Sequence, residues 1–138
     1  MSISVTEANY NDVLKLRQEV MYPDKNIDFV KLPDDDKGIH LGLFEDGTLI
    51  SVVSIFMNKD RSVQFRKLAT RKDMQGKGYG SILLKWLKDY ANDVKLNRLW
   101  CNARIETLGF YKKAGFVETD EKFSRDGHDY VIVEISAN

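Results

Sequence analysis

Leu68-Ala69-Thr70-Arg71-Lys72-Asp73-Met74-Gln75-Gly76-Lys77-Gly78-Tyr79-Gly80-Ser81 is the stretch from which the architecture is read. It runs from a strand through a polar loop into a glycine-rich turn, and the turn opens a helix predicted over residues 78–92. Ile82, Leu83, Trp86, Leu87 and Tyr90 fall on one face of that helix, at the spacing of an apolar stripe. Gly76, Gly78 and Gly80 alternate, so their backbone N–H groups are bare of side chains. The first turn of a helix also carries N–H groups without internal partners. Together these make a concave donor surface for anionic oxygens, aided by the helix dipole and by Lys77. No Gly-Lys-Ser/Thr follows four spacer residues, so this is not a Walker loop. The glycine spacing is not that of a dinucleotide fingerprint either.

Outward from the turn, residues 62–70 form a strand, the helix crosses over, and residues 98–103 form a second strand. Such a βαβ unit has parallel strands and a right-handed connection. Upstream, residues 39–44 and 49–57 are strand-like runs joined through Asp46-Gly47, a strong hairpin signal. With residues 62–70 they make an antiparallel meander. Residues 2–6 alternate as a strand, and Asn9 can cap a helix over residues 10–21 that Pro23 stops. A short helical turn is predicted near 33–37. Residues 105–114 read as a helix closed by Gly115. Residues 116–119 and 130–135 read as final strands, with Asp126-Gly127 turning between them. The fold class is therefore α/β with a mixed sheet, antiparallel at its start and with a central parallel βαβ unit. No linker, repeat or low-complexity segment divides it, so residues 1–138 are read as one domain.

Composition narrows the function classes. Lys plus Arg and Asp plus Glu are equal at 21 each, and this balance argues against nucleic acid as the main partner. No apolar run is long enough for a membrane span and no signal peptide is seen, so no membrane partner is expected and the cytoplasm is the default location. Cys101 is the one cysteine, and without a Cys/His cluster of zinc spacing no metal is expected. It reads as a buried strand residue rather than a nucleophile.

Gln75-Gly76-Lys77-Gly78-Tyr79-Gly80 resembles the signature of the GCN5-related N-acetyltransferase (GNAT) family, which runs Arg or Gln, two residues, Gly, one residue, Gly or Ala. Gln75, Gly78 and Gly80 match in order. Asn102-Ala103-Arg104 followed by Gly109-Phe110-Tyr111-Lys112-Lys113-Ala114-Gly115-Phe116 is similar to the family's later block, and the element order agrees over the whole chain. The resemblance implies the acyl-CoA N-acyltransferase fold and acetyl-CoA as co-substrate. It implies that the turn, with Gln75, Gly76, Lys77, Gly78, Tyr79, Gly80 and Ser81, binds the pyrophosphate. It implies that Leu68, Ala69 and Thr70 bond the pantetheine arm through their backbone. Phe110 is assigned to pantetheine packing. Arg104 stands seven before Tyr111, where many members carry asparagine, and Asn102 is a substitute contact.

By the same resemblance, Tyr111 protonates the departing CoA thiolate. A phenol with a pKa of about 10 stays protonated at neutral pH and can donate to developing charge on sulfur. The implied reaction is direct acetyl transfer to a primary amine of a small molecule or peptide, with a backbone N–H near Leu68 to Thr70 polarising the carbonyl. Glu19 and His40 are the candidate general bases, with Glu45, Asp60 and Glu106 behind them and a water relay as the alternative. Residues 21–40 and 125–130 are expected to form the acceptor pocket, with Met21, Tyr22, Phe29, Phe123 and Tyr130 as its apolar wall. Asp34, Asp35 and Asp36 read as a solvated helix start. A CoA-binding regulatory module without turnover is the rival reading. The resemblance also brings in a homodimer, with the strand at 130–135 available to pair across an interface.

Overall fold

A computed structural model of the chain describes residues 2–136. Seven strands form one sheet: β1 (Ile3–Glu7), β2 (Ile39–Glu45), β3 (Thr48–Met57), β4 (Ser62–Thr70), β5 (Arg98–Arg104), β6 (Val117–Arg125) and β7 (His128–Ser136). Three helices accompany it: α1 (Tyr10–Met21), α2 (Tyr79–Asp93) and α3 (Leu108–Lys113). The strand order is β1-β2-β3-β4-β5-β7-β6. Every neighbouring pair is antiparallel except β4 and β5, which are parallel. Among the described residues no helix is long and apolar enough to cross a membrane.

Local signals set most boundaries. The Asn9 side chain accepts from the N–H groups of Asn11 and Asp12 and starts α1. Asp46 and Gly47 both have positive φ, at 51° and 84°, as a two-residue hairpin turn between β2 and β3 requires. The helix predicted at 105–114 begins one turn later, because Ile105–Thr107 is a 3-10 turn leading into α3. β6 runs to Arg125, well past the expected residue 119. Its mostly exposed residues lack the alternation that marks a half-buried strand, so its length comes from pairing with β7. The strand at 130–135 belongs to β7, which lies between β5 and β6 and is not an edge. The edges are β1 and β6, and pairing across an interface through β7 is excluded.

The core has two faces. Leu83, Leu84 and Leu87 of α2 pack on Val53, Ile55, Val63 and Phe65. Val13 and Leu16 of α1 pack on Val52 and Ala69. Val52 and Val53 thus point to opposite sides, as successive strand residues must. Along β4 the alternation breaks, since Val63 and Phe65 belong with α2 whereas Ala69 belongs with α1. The cause is a bulge. Ser54 pairs with Arg66 and Val52 with Ala69, so Lys67 and Leu68 together oppose Val53. Lys67 carries the turn with φ 58°, a left-handed conformation that costs a non-glycine residue about 1 kcal/mol or more.

A second irregularity opens the sheet. β4 pairs with β5 only over Ser62, Val63 and Gln64, opposite Arg98, Leu99 and Trp100. Beyond Gln64 that edge of β4 has no strand partner, while β5 stays paired with β7 along its whole length. The two strands splay into a cleft.

Candidate active site

One boundary of the cleft is the glycine turn. Lys72–Met74 forms a 3-10 turn after β4, and the extended Gln75 leads into Gly76 and Gly78, with φ of 77° and 91°. Both glycines are there for conformation, since a Cβ on either would meet nothing within 4 Å. Gly80 serves packing instead, because a Cβ there would lie 3.2 Å from the Phe110 ring. Gly78 is the N-cap of α2, no side chain caps the helix, and no acidic residue lies in its first turn. Its leading N–H groups therefore remain directed at the open turn. The Gln75 side-chain amide donates to the Thr70 carbonyl at 3.0 Å and ties the turn to the end of β4. Tyr79 donates from its hydroxyl to Glu45 at 2.8 Å, which fixes α2 against β2. Lys77 and Ser81 are exposed beside the turn.

Between the splayed strands lies a cavity of about 240 Å³. β4 contributes Gln64 to Leu68, β5 contributes Asn102 and Arg104, and α3 contributes Tyr111. Met21 and Tyr22 at the end of α1 close it on one side, and Phe123, Arg125 and Tyr130 of the β6–β7 hairpin on the other. Four members of the expected aromatic and apolar wall are thus present. Phe29 is 54% exposed and packs edge-on against Tyr22 without lining the cavity.

Tyr111 is packed among Phe65, Phe110 and Phe116. Burial first, and the neighbouring Cys101 thiol second, push its pKa well above the ordinary phenol value. It stays protonated at any working pH. Cys101 is buried on β5, and burial pushes its thiol up to about 12, the contact with the Tyr111 hydroxyl acting weakly the other way. A thiol so placed is not ionised at neutral pH.

None of the candidate bases lines this cavity, and neither Asp, Glu nor His is among its lining residues. Glu45 is engaged by Tyr79, and Asp60 accepts from Ser62 in the β3–β4 turn. His40 belongs to a different assembly. Arg17, fully buried, donates to Asp35 through both terminal nitrogens at 2.8 and 3.0 Å, to the Val30 carbonyl at 3.0 Å and to Ser54 Oγ at 2.9 Å. The Ser54 hydroxyl also lies 2.6 Å from His40 Nδ1. His40 Nε2–H donates to the Asp35 carbonyl at 2.8 Å. Tyr10 donates to Asp35 Oδ2 at 2.6 Å, and the Leu32 N–H to the same oxygen at 2.9 Å.

Asp35 is therefore not the solvated residue that the acidic run suggested; it is 6% exposed. Burial alone would raise its pKa, but Arg17, the Leu32 N–H and Tyr10 outweigh that and hold it at about 2. The assembly pins residues 30–40 against α1 and β3. The sequence signal for it, Arg17, Asp35 and His40 at long separations, gave no indication of mutual contact.

Comparison with known proteins agrees with this geometry. Residues 6–116 match the family model described as the acetyltransferase (GNAT) family. The uncharacterised N-acetyltransferase YitI of Bacillus subtilis (strain 168) is 29% identical over 133 residues, covering 91% of this chain and 89% of YitI. A crystal structure of a candidate N-acetyltransferase from Lactobacillus plantarum superimposes with a TM-score of 0.82 at 21% identity, covering 98% of this chain and 97% of that one. A Bacillus subtilis acetyltransferase in complex with CoA gives 0.76 at 19% identity, covering 99% and 98%. The chain belongs to the GNAT family and is an acetyl-CoA-dependent N-acetyltransferase.

Proposed function

We propose that the protein moves the acetyl group of acetyl-CoA directly to a primary amine, with Tyr111 as the acid that assists the leaving sulfur. The observation that carries this reading is the cleft itself. The partnerless edge of β4 beyond Gln64 and the hydroxyl-bearing Tyr111 face one cavity, and the uncapped start of α2 follows from the same strand.

The chain's residues fit CoA. The 75–80 turn offers N–H donors and Lys77 to a pyrophosphate, without an acidic neighbour in the first helical turn. Beyond Gln64 the β5-facing edge of β4 has no strand partner, which suits an extended amide-bearing arm lying along Leu68 to Thr70, with the Thr70 carbonyl already taken by Gln75. The bulge at Lys67 and Leu68 leaves an amide outside the ladder, suited to polarise a carbonyl. Phe110, 36% exposed over Gly80, gives apolar contact, with Asn102 on the facing strand.

In the transfer, the neutral amine nitrogen attacks the thioester carbonyl carbon. The C–N bond forms and the C–S bond breaks. The nitrogen gives one proton to water, and the sulfur receives one through Tyr111, which recovers its proton from solvent. The lack of a carboxylate or imidazole around the cavity favours water as the proton acceptor. His40, with both ring nitrogens engaged, is given a positioning role in holding residues 30–40.

Isothermal titration with CoA and acetyl-CoA, followed by thiol release with a panel of amines, tests this. Binding with amine-dependent release supports the reading. Binding without release from any amine would leave a CoA-binding module, and no binding would overturn the assignment of the turn.

A further inference from the structure

We infer that the acceptor is a small amine that also carries an anionic group, a carboxylate or a phosphate, held by Arg104 and Arg125 in the cavity that Tyr111 lines. The inference rests on the acetyl-transfer reading and adds to it the class of acceptor.

The charge distribution carries it. The chain as a whole is balanced, with 21 basic and 21 acidic residues. Around this cavity the balance fails: Arg66, Lys67, Arg104 and Arg125 line it, and no acidic residue does. Arg66 has a partial counter-charge in Asp34 at 3.4 Å. The other three have no carboxylate partner among the described residues. Lys67 leans on Tyr22, its Nζ 3.4 Å from the hydroxyl and 5.2 Å from the ring centre. Arg125 lies 5.4 Å over the Phe123 ring, which itself stacks on Tyr130. Arg104 is half-buried at the end of β5.

Arg104, half-buried and without a carboxylate partner, is partly stripped of water and gains most from a planar oxyanion that it can grip with two N–H groups, while Arg125 is exposed and adds its charge from the hairpin. The aromatic rings behind Lys67 and Arg125 hold those cations in place and leave their outer faces free. A polyamine entering the same space would meet four like charges with nothing to offset them. An amine with a carboxylate or phosphate at its other end neutralises the cations and keeps its nucleophilic nitrogen in the cavity with Tyr111. The turn at 75–80 has its own N–H donors for the CoA phosphates and contributes no residue to the cavity, so the two anion sites are separate.

Two measurements test this on the full chain. In the first, acetyl-CoA thiol release is followed with phenylalanine, glutamate and phosphoethanolamine against phenylalaninamide, ethanolamine and spermidine. The anionic amines are expected to exceed their matched neutral or cationic partners in kcat/KM by about tenfold or more. Arg125→Gln is expected to erode that preference chiefly through KM, and Arg125→Glu to turn it toward spermidine. Preference for the uncharged or cationic amines, or no response to Arg125→Glu, overturns the inference while leaving acetyl transfer intact. The carboxylate and phosphate arms distinguish the two sources of anion.

In the second, the thermal midpoint of the CoA-saturated protein is read with N-acetylphenylalanine and with N-acetylphenylalaninamide, and the pair is repeated for O-phosphoethanolamine and ethanolamine. Stabilisation by the anion only, weakened by salt, supports the site whether or not turnover is seen. Equal stabilisation, or none by any anion, overturns it. Anion-specific stabilisation without thiol release would instead sink the transfer reading alone.

Discussion

The glycine turn draws its donors from six consecutive residues, Gln75 to Gly80, whereas the cavity draws its cations from Arg66, Lys67, Arg104 and Arg125 on strands and a hairpin far apart in sequence. Both are anion-friendly surfaces, built by different means. In the turn, positive-φ glycines and an uncapped helix point backbone dipoles outward, so the chemistry is independent of side chains. In the cavity the backbone supplies only placement, and the charge sits on side chains steadied by aromatic rings. A site of the first kind tolerates no change of backbone conformation. A site of the second kind can be retuned one residue at a time, and the acceptor half of an acetyltransferase is where specificity has to be set.

The comparison can be broken most severely at Asp35. Asp35→Ala leaves Arg17 buried without its partner, and loss of one member of such a pair costs about 3–5 kcal/mol. Urea unfolding should show the loss, whereas an equally stable variant would mean that the buried pair contributes nothing to the fold. At the turn, Gly78→Glu brings a negative charge to the proposed phosphate site. CoA affinity should fall on the order of 100-fold, from the several kcal/mol that like charges cost in contact. Gly78→Ala is the control, because it carries only the strain of φ 91° with no steric contact. If both variants titrate like wild type, the turn is not the phosphate site.

Between the two halves stands Tyr111. Tyr111→Phe should lower turnover by about 100-fold, the lower range for a positioned acid, with CoA affinity nearly unchanged. Turnover equal to wild type would reduce Tyr111 to packing. The smallest expected effect is in acid. The Asp35 carboxyl, at about 2, lies below the ordinary carboxylate range, so its contribution to stability is complete above about pH 4 and is lost as pH falls through 2. The loss is about 2 kcal/mol by linkage. Urea midpoints measured from pH 5 to pH 2 should show this step in wild type and not in Asp35→Asn; a step of equal size in both would assign it to other carboxylates.

Legibility followed the distance over which each feature is specified. The Asn9 cap, the Asp46-Gly47 hairpin and the glycine turn are fixed by residues a few positions apart, and each reads directly from the chain. β6 did not, because an exposed edge strand carries no apolar alternation and is held by its partner β7. The acidic run 34–36 read as surface, because nothing local says that Arg17 approaches Asp35 from a helix eighteen residues upstream.

The sequence by itself determined the helix periods and the turn with its bare N–H groups, because backbone conformation and amphipathic spacing are local properties. Only the tertiary structure decided the bulge at Lys67, the splay of β4 from β5 and the gathering of four cations around one cavity in a chain of zero net charge. Strand pairing and charge proximity are relations between distant segments. They acquire a geometry only when the sheet closes.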